Sequence, residues 1–77
     1  MLQIQDAMKV ILAGNDRKLV MDDIGITTPL ISSWLTSKDR IIGFDKAALI
    51  YGNYDIVVWP YDEIALIDRW RSYDKAK

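Results

Sequence analysis

The segment at residues 17–37, RKLVMDDIGITTPLISSWLTS, constrains the fold more than any other part of the chain. A helical pattern over 17–24 stops at Gly25, a residue that readily adopts the left-handed conformation of a tight turn. Thr27 is a favourable N-cap for a further helix, and Pro29 falls in that helix's first turn, where a missing N–H costs nothing. The pattern predicts two short helices joined by a tight turn, the second running to about Ser37.

Two such short helices are stable only when each buries an apolar stripe. The apolar positions of the pair are Leu19, Val20, Ile24, Ile31, Trp34 and Leu35. Ile26 would fill the turn between the helices, and Trp34 would seat the second helix on the first. This arrangement is typical of a helix-turn-helix, in which Trp34 is expected to be largely buried.

Helical spacing of apolar residues also predicts a first helix over 2–13 and a last helix over 61–74. Gly14 and Asn15 mark the end of the first helix, and Asp16 is a favourable N-cap for the helix that follows. The last helix has one stripe of side chains at three-residue steps, formed by Ile64, Ile67, Trp70 and Tyr73. This stripe either packs back on the fold or forms a homodimer interface with Trp70 as its anchor.

The stretch between Asp39 and Pro60 permits two interpretations. Asp45 can cap a helix over 44–51 that Gly52 would end, which is the preferred prediction. However, the pair Gly52-Asn53 between two apolar runs is also a hairpin signal, which would give a β-hairpin at 47–59. The run at 56–59 is β-prone under either interpretation, and Trp59 within it is expected to pack in the core.

Composition limits the function classes. With 77 residues the chain is long enough for one domain, 1–77, and 51% hydrophobic content is typical of a globular protein. The absence of Cys and His removes the commonest nucleophile, general base and transition-metal ligands, so we expect no enzyme, no cofactor and no metal site. No apolar run is long enough to span a membrane, and the start lacks a signal-peptide pattern, which predicts a cytoplasmic protein.

The residues of the central segment resemble the Cro and Xre type of phage-repressor domain. The resemblance covers residues 2–40 and depends on Gly25-Ile26, Thr27, Ile31-Ser32 and Trp34-Leu35. It implies a mainly α fold, a compact helical bundle containing a helix-turn-helix with a short strand near 55–59. The alternative is an α+β, Cro-like fold with the hairpin at 47–59. Met21 and Leu30 depart from the pattern, since the family favours Ala and a solvated residue at those positions.

The resemblance also implies which side chains meet DNA. The recognition helix at 28–37 would enter the major groove with Thr28, Pro29, Ser32, Ser33 and Thr36, preceded by Thr27. Phosphate contacts would come from Arg17, Lys18, Lys38 and Arg40. These side chains lack Asn and Gln and have few bidentate donors for base edges, so DNA shape or a second subunit would have to add specificity.

The predicted function is therefore a DNA-binding transcriptional regulator of phage or prophage type in a bacterial or phage-infected cell. Its partners would be double-stranded DNA and a second copy of the chain. The net charge of −1 is unlike the basic surplus of most nucleic-acid binders, and Leu30 is apolar. Both features favour the alternative prediction, a helix-turn-helix that binds another regulator as an antirepressor or modulator.

Overall fold

A computed structural model describes residues 1–38 and 40–76, with side chains through Ser72, and it is mainly helical, as predicted. The described residues form five helices: α1 (Ile4–Gly14), α2 (Arg17–Ile24), α3 (Thr28–Thr36), α4 (Phe44–Tyr54) and α5 (Glu63–Ala76). The predicted bounds of the first three helices are close to the observed ones. None of the helices in the described part of the chain is long and apolar enough to cross a membrane.

The helices pack in a chain of pairwise contacts, in which α1 lies against α2 and α3, and α4 lies against α2 and α5. Every fully buried residue among those described is apolar, although one polar atom, Oε1 of the half-buried Gln3, is also buried. Its largest fully buried side chains are Ile4, Met8, Ile11, Val20, Ile24, Ile31, Ile50, Val58 and Leu66. Trp34 is also buried, which confirms its predicted place in the core. Leu19, which was predicted to belong to the buried stripe, is exposed, because the inward side of the short helix α2 is formed by Val20 and Ile24 with Met21 half-buried beside them.

The strand predicted near 55–59 is reduced to one parallel bridge between Leu2 and Val58. Leu2 donates its N–H to the Val57 carbonyl at 2.9 Å, and the Trp59 N–H donates to the Leu2 carbonyl at 2.7 Å. Val58 takes the inward position of this segment and is fully buried. Trp59, its neighbour, is 41% exposed, so the prediction that Trp59 packs in the core is wrong. Extended residues alternate sides, which sends the indole outward.

The α+β alternative with a hairpin at 47–59 is also wrong, because α4 continues through Gly52-Asn53 to Tyr54. Asp55 ends the helix in the left-handed conformation at φ 57°, donating its N–H to the Tyr51 carbonyl. Asn53 extends the helix by donating its side-chain Nδ2 to the Leu49 carbonyl at 2.8 Å. The glycine is therefore a packing position within the helix and not its end.

Gly52 accommodates Trp70 of α5. A β-carbon at Gly52 would lie 2.3–2.4 Å from the Trp70 ring, so only glycine permits this approach. The predicted stripe of α5 is consequently split: Trp70 and Ile67 are half-buried, but Ile64 is 75% exposed. Leu66, which is not part of the stripe, is the fully buried residue of α5. Tyr73 lies outside the residues whose side chains are described.

Candidate DNA-binding surface

The turn between α2 and α3 consists of residues 25–27. Gly25 adopts the left-handed conformation at φ 72°, which is accessible to glycine at little cost. The N–H groups of Gly25 and Ile26 both donate to the Met21 carbonyl, at 2.8 and 3.1 Å. Ile26 is buried, so the turn is fixed both by hydrogen bonds and by an apolar side chain, as the sequence predicts.

A lysine from α4 forms hydrogen bonds with carbonyl groups at the C-terminal end of α2. Lys46 donates Nζ to the Ile24 carbonyl at 3.2 Å and to the Gly25 carbonyl at 2.8 Å. An ammonium group at this end of a helix satisfies unpaired carbonyls and is favoured by the helix dipole. Sequence reasoning missed Lys46 because it lies 21 residues after Gly25 and belongs to a different helix.

Asp23 forms a second connection between α2 and α4. Its carboxylate oxygen Oδ2 accepts a hydrogen bond from the Tyr54 hydroxyl at 3.1 Å, and its backbone carbonyl accepts one from Asn53 at 3.4 Å. Burial, with the hydrogen bond to Asp23 second, raises the pKa of Tyr54 to about 12. Together with Lys46, these contacts fix the orientation of α2 and of the turn that follows it.

The outward side of α3 is an uncharged polar row. Thr28, Pro29, Ser32 and Thr36 are all exposed, in agreement with their predicted positions. The Thr36 hydroxyl donates to the Ser32 carbonyl at 2.9 Å, and that of Thr28 donates to Met21 Sδ at 3.8 Å. We call Thr28, Pro29, Ser32 and Thr36 the α3 row.

Thr27 lies at the predicted N-cap of α3 and is exposed, but its side chain makes no capping hydrogen bond. Ser33 was expected to be as exposed as Ser32 and is instead half-buried. Its hydroxyl Oγ accepts a hydrogen bond from Nη1 of the exposed Arg40 at 2.5 Å. This contact holds a guanidinium group against the side of α3, although Arg40 lies beyond the end of that helix.

Three further predicted phosphate ligands are exposed. Arg17 and Lys18 begin α2, whose N-cap Asp16 accepts the Lys18 N–H at Oδ1, as predicted. Lys38 follows α3 and lines a polar cleft of about 340 Å³ together with Gln3, Gln5, Asp6 and Lys9. The exposed Lys9 therefore shares a cleft with Lys38, which the resemblance did not indicate because it concerned the motif rather than the outer face of α1.

The two departures from the family pattern have structural explanations. Leu30 is half-buried and packs against the core cluster, so it is not an apolar side chain presented to solvent. Met21 is half-buried between the helices, where its sulfur atom accepts a hydrogen bond from the Thr28 hydroxyl. The flexible methionine thus fills space between α2 and the start of α3 that an alanine would leave open.

Comparisons of this chain with protein-family models, with curated proteins and with solved structures find no significant match. Any function must therefore be inferred from the surface itself.

Proposed function

We propose that the protein binds double-stranded DNA as a transcriptional regulator in the bacterial cytoplasm, with α3 in the major groove. The observation that carries the proposal is the α3 row, an exposed side of a nine-residue helix with no charged side chain of its own. Basic residues come before it on α2 and after it at Lys38 and Arg40. A neutral polar helix accompanied by cations suits a groove whose floor is base edges and whose walls are phosphates.

The residues of the row define what the helix can read. Threonine and serine hydroxyls can donate to or accept from any base, and the methyl group of Thr36 can contact a thymine methyl. Arg40 is the side chain near α3 that can make a bidentate contact, because its guanidinium group already lies beside Ser33. We therefore expect the α3 row to discriminate weakly between base pairs, with Arg40 contacting a phosphate beside the helix.

The protein has a net charge of −1, so attraction to DNA depends on where its cations lie. If Arg17, Lys18, Lys38 and Arg40 each displace one counterion, log K should fall with log salt at a slope of roughly −3.6. Lys9, which shares the cleft with Lys38, would add about one more unit to that slope.

The alternative, docking on another regulator protein, has two observations in its favour: the net charge of −1 and the absence of charged residues from α3. Leu30 no longer supports it, since that side chain packs against the core. A regulator-binding helix would bind its protein target with little dependence on salt, whereas DNA binding must weaken steeply.

The test is fluorescence anisotropy with labelled duplexes from the DNA beside the protein's own coding region, at low and moderate salt. Ser32→Glu adds a negative charge at the centre of the α3 row and should weaken binding at least tenfold, about 1.4 kcal/mol. Because Ser32 is exposed, the unfolding free energy of this variant should change by about 0.5 kcal/mol or less.

Ser72→Glu is the matched control, since it adds the same charge at an exposed serine on α5, a helix that packs on α4. It should leave both affinity and salt slope unchanged. Equal losses of DNA affinity in the two variants would mean that the added charge weakens binding wherever it is placed. In that case α3 would not be the element that contacts the bases. No salt-dependent binding to any duplex would overturn the proposed function.

A further inference from the structure

A polar cleft of about 340 Å³ lies between the first turns of α1 and the segment that follows α3. It is lined by Gln3, Gln5, Asp6, Lys9 and Lys38, so no apolar side chain contributes to its wall. Most small-molecule pockets are lined mainly by apolar side chains. The cleft therefore suits a small polar ligand and not one with a large apolar part. We call it the α1 cleft.

The groups that α1 contributes follow one another along one side of the helix. Gln3 is its N-cap, and Asp6 and Lys9 come after it at three-residue steps. That spacing places side chains on one face, about one turn apart. An amide and a carboxylate therefore precede an ammonium group along the cleft, and Lys38 adds a second ammonium group from the segment after α3.

These polar groups lack partners within the part of the chain that the structure describes. Asp6, Lys9 and Lys38 are exposed and form no ion pair with any described residue. Oε1 of Gln3 is buried and accepts no hydrogen bond from the described residues, which is unfavourable for an acceptor removed from water. A half-turn of the Gln3 amide, whose terminal torsion has broad minima, brings this oxygen to the accessible position of Nε2.

We propose that the α1 cleft binds a small zwitterion, with one ammonium and one carboxylate group on a short chain. The ligand ammonium lies against the Asp6 carboxylate and donates a hydrogen bond to Oε1 of Gln3. The ligand carboxylate accepts hydrogen bonds from Nζ of Lys9 and of Lys38. A ligand that is only anionic brings its charge close to Asp6 and leaves Gln3 without a donor. A ligand that is only cationic is repelled by both lysines.

The inferred site also bears on the proposed function, on which this one consequence rests. Lys38 is a proposed phosphate ligand, so a carboxylate bound to it competes with the DNA backbone for the same ammonium group. Gln5 also connects the cleft to the last turn of α3, because its Nε2 donates to the Leu35 carbonyl at 2.7 Å. The zwitterion therefore weakens DNA binding, and DNA weakens binding of the zwitterion by the same factor.

An NMR titration without DNA tests the site with β-alanine and two analogues of nearly the same shape. Butyrate has a methyl group in place of the ammonium group, and isopentylamine has an isopropyl group in place of the carboxylate. β-Alanine should shift the side-chain amide signals of Gln3 and Gln5 and the backbone amide signal of Lys38. Its Kd should be at least tenfold lower than that of either analogue.

Two substitutions separate the acidic end of the cleft from the basic end. Asp6→Asn removes the partner of the ligand ammonium, so β-alanine should lose at least tenfold in affinity, whereas butyrate should bind no more weakly than before. Lys9→Met removes a partner of the ligand carboxylate and should weaken the binding of both compounds. Asp68→Asn and Arg71→Met, at exposed positions on α5, are the matched controls and should leave all three Kd values unchanged.

β-Alanine that binds no more tightly than butyrate would overturn the proposed site, and so would unchanged β-alanine affinity in Asp6→Asn. Native-like amide spectra of the variants distinguish lost binding from lost folding. Because these titrations contain no DNA, their outcome is independent of the anisotropy experiment. Binding of β-alanine while every duplex fails to bind would leave the site in place and remove only the DNA-binding function.

The competition is tested by repeating the anisotropy experiment at saturating β-alanine, which has no net charge and therefore adds nothing to the ionic strength. The affinity for the duplex should fall at least threefold in the wild type and should not change in Asp6→Asn. Unchanged duplex affinity in the wild type would overturn the competition at Lys38.

Discussion

The contacts of α4 with α2 and with α5 differ in how closely the two helices approach one another. Toward α2, α4 supplies polar side chains: Lys46 binds two carbonyls at the turn, and Tyr54 binds Asp23. Toward α5, α4 also has polar contacts, with Asp45 paired to Arg69 at 2.5 Å and the Tyr51 hydroxyl donating to Glu63 at 3.3 Å. The feature that distinguishes this side is the Trp70 ring, which is pressed against the backbone of Gly52. A hydrogen bond near the surface contributes little to the free energy of unfolding, but it constrains direction. Close packing contributes more, and an added methyl group disrupts it because no free space remains.

This difference is consistent with the roles proposed for the α2–α4 contact and the α4–α5 contact. The α2–α3 turn must present an uncharged helix at a defined angle, and directed hydrogen bonds define an angle well. The α4–α5 contact contributes stability to a chain of 77 residues, whose small core leaves a thin margin. Substitutions at the two contacts should therefore differ in how far they lower the free energy of unfolding. They should also differ in whether DNA affinity or overall stability is affected more.

The largest effect is expected at the steric contact. Gly52→Ala puts a methyl group where the Trp70 ring lies, so the ring must move and the unfolding free energy should fall by about 1–3 kcal/mol. Without the ring, the same substitution should stabilise the helix by about 0.5–1 kcal/mol. Urea unfolding of both single variants and the double variant with Trp70→Ala measures this reversal of sign.

Gly14→Ala is the matched control for that experiment, because Gly14 also lies in a helix, yet a β-carbon there would meet nothing within 4 Å. It should be neutral or slightly stabilising. If Gly52→Ala behaved like Gly14→Ala in the wild-type background, the close approach of Trp70 would not contribute to stability.

A second effect, of about 1 kcal/mol, is expected at the polar contact. Lys46→Met keeps the length of the side chain but removes both hydrogen bonds to the end of α2. Hydrogen exchange at the Ile26 amide should become faster. The free energy of DNA binding should weaken by more than the free energy of unfolding falls, because the orientation of α3 relative to α2 is no longer fixed. Lys9→Met, which removes a lysine from α1, should leave that amide unchanged.

If hydrogen exchange at Ile26 were unchanged or slower in Lys46→Met, Lys46 would not contribute to the stability of the turn. The hydrogen bonds of Lys46 would then not hold the turn after α2 on α4. An intermediate test is Lys46→Arg, whose guanidinium group has donors but a different shape, and which should restore part of the protection.

Sequence patterns predicted local features well, because local features have local causes. Gly25, Thr27 and Pro29 each specify a backbone state at their own position, and the helices around them begin and end where expected. Burial of Val20, Ile24, Ile31 and Trp34 follows from spacing within a short helix. The DNA-binding assignments of individual residues remain predictions, since they depend on a partner.

Features that depend on another part of the chain were not predictable. Gly52-Asn53 has the composition of a hairpin, and only the Trp70 ring explains why a glycine lies within α4. The stripe predicted on α5 was partly wrong, because Leu66 is fully buried and Ile64 is exposed. The side of α5 that faces inward is set by its packing on α4, which lies elsewhere in the chain. Lys46 has no local signal, since its carbonyl partners belong to another helix.

The smallest expected effect concerns pH and the hydroxyl of Tyr54. Burial and Asp23 raise the pKa of Tyr54 from 10.0 to about 12 in the folded protein. Between those two values the unfolded chain has lost this proton and the folded chain retains it. The unfolding free energy should therefore be insensitive to this group below pH 10 and should fall as pH rises toward 12.

Tyr54→Phe removes that dependence, and its effect is isolated by subtracting the pH profile of the variant from that of the wild type. Tyr51→Phe provides the comparison, because burial and Glu63 also raise the pKa of Tyr51, yet its hydroxyl bonds toward α5 and not toward α2. Only Tyr54→Phe should also quicken amide exchange at the end of α2. Parallel pH profiles of wild type and Tyr54→Phe above pH 10 would mean that the Asp23 hydrogen bond does not hold α2 on α4.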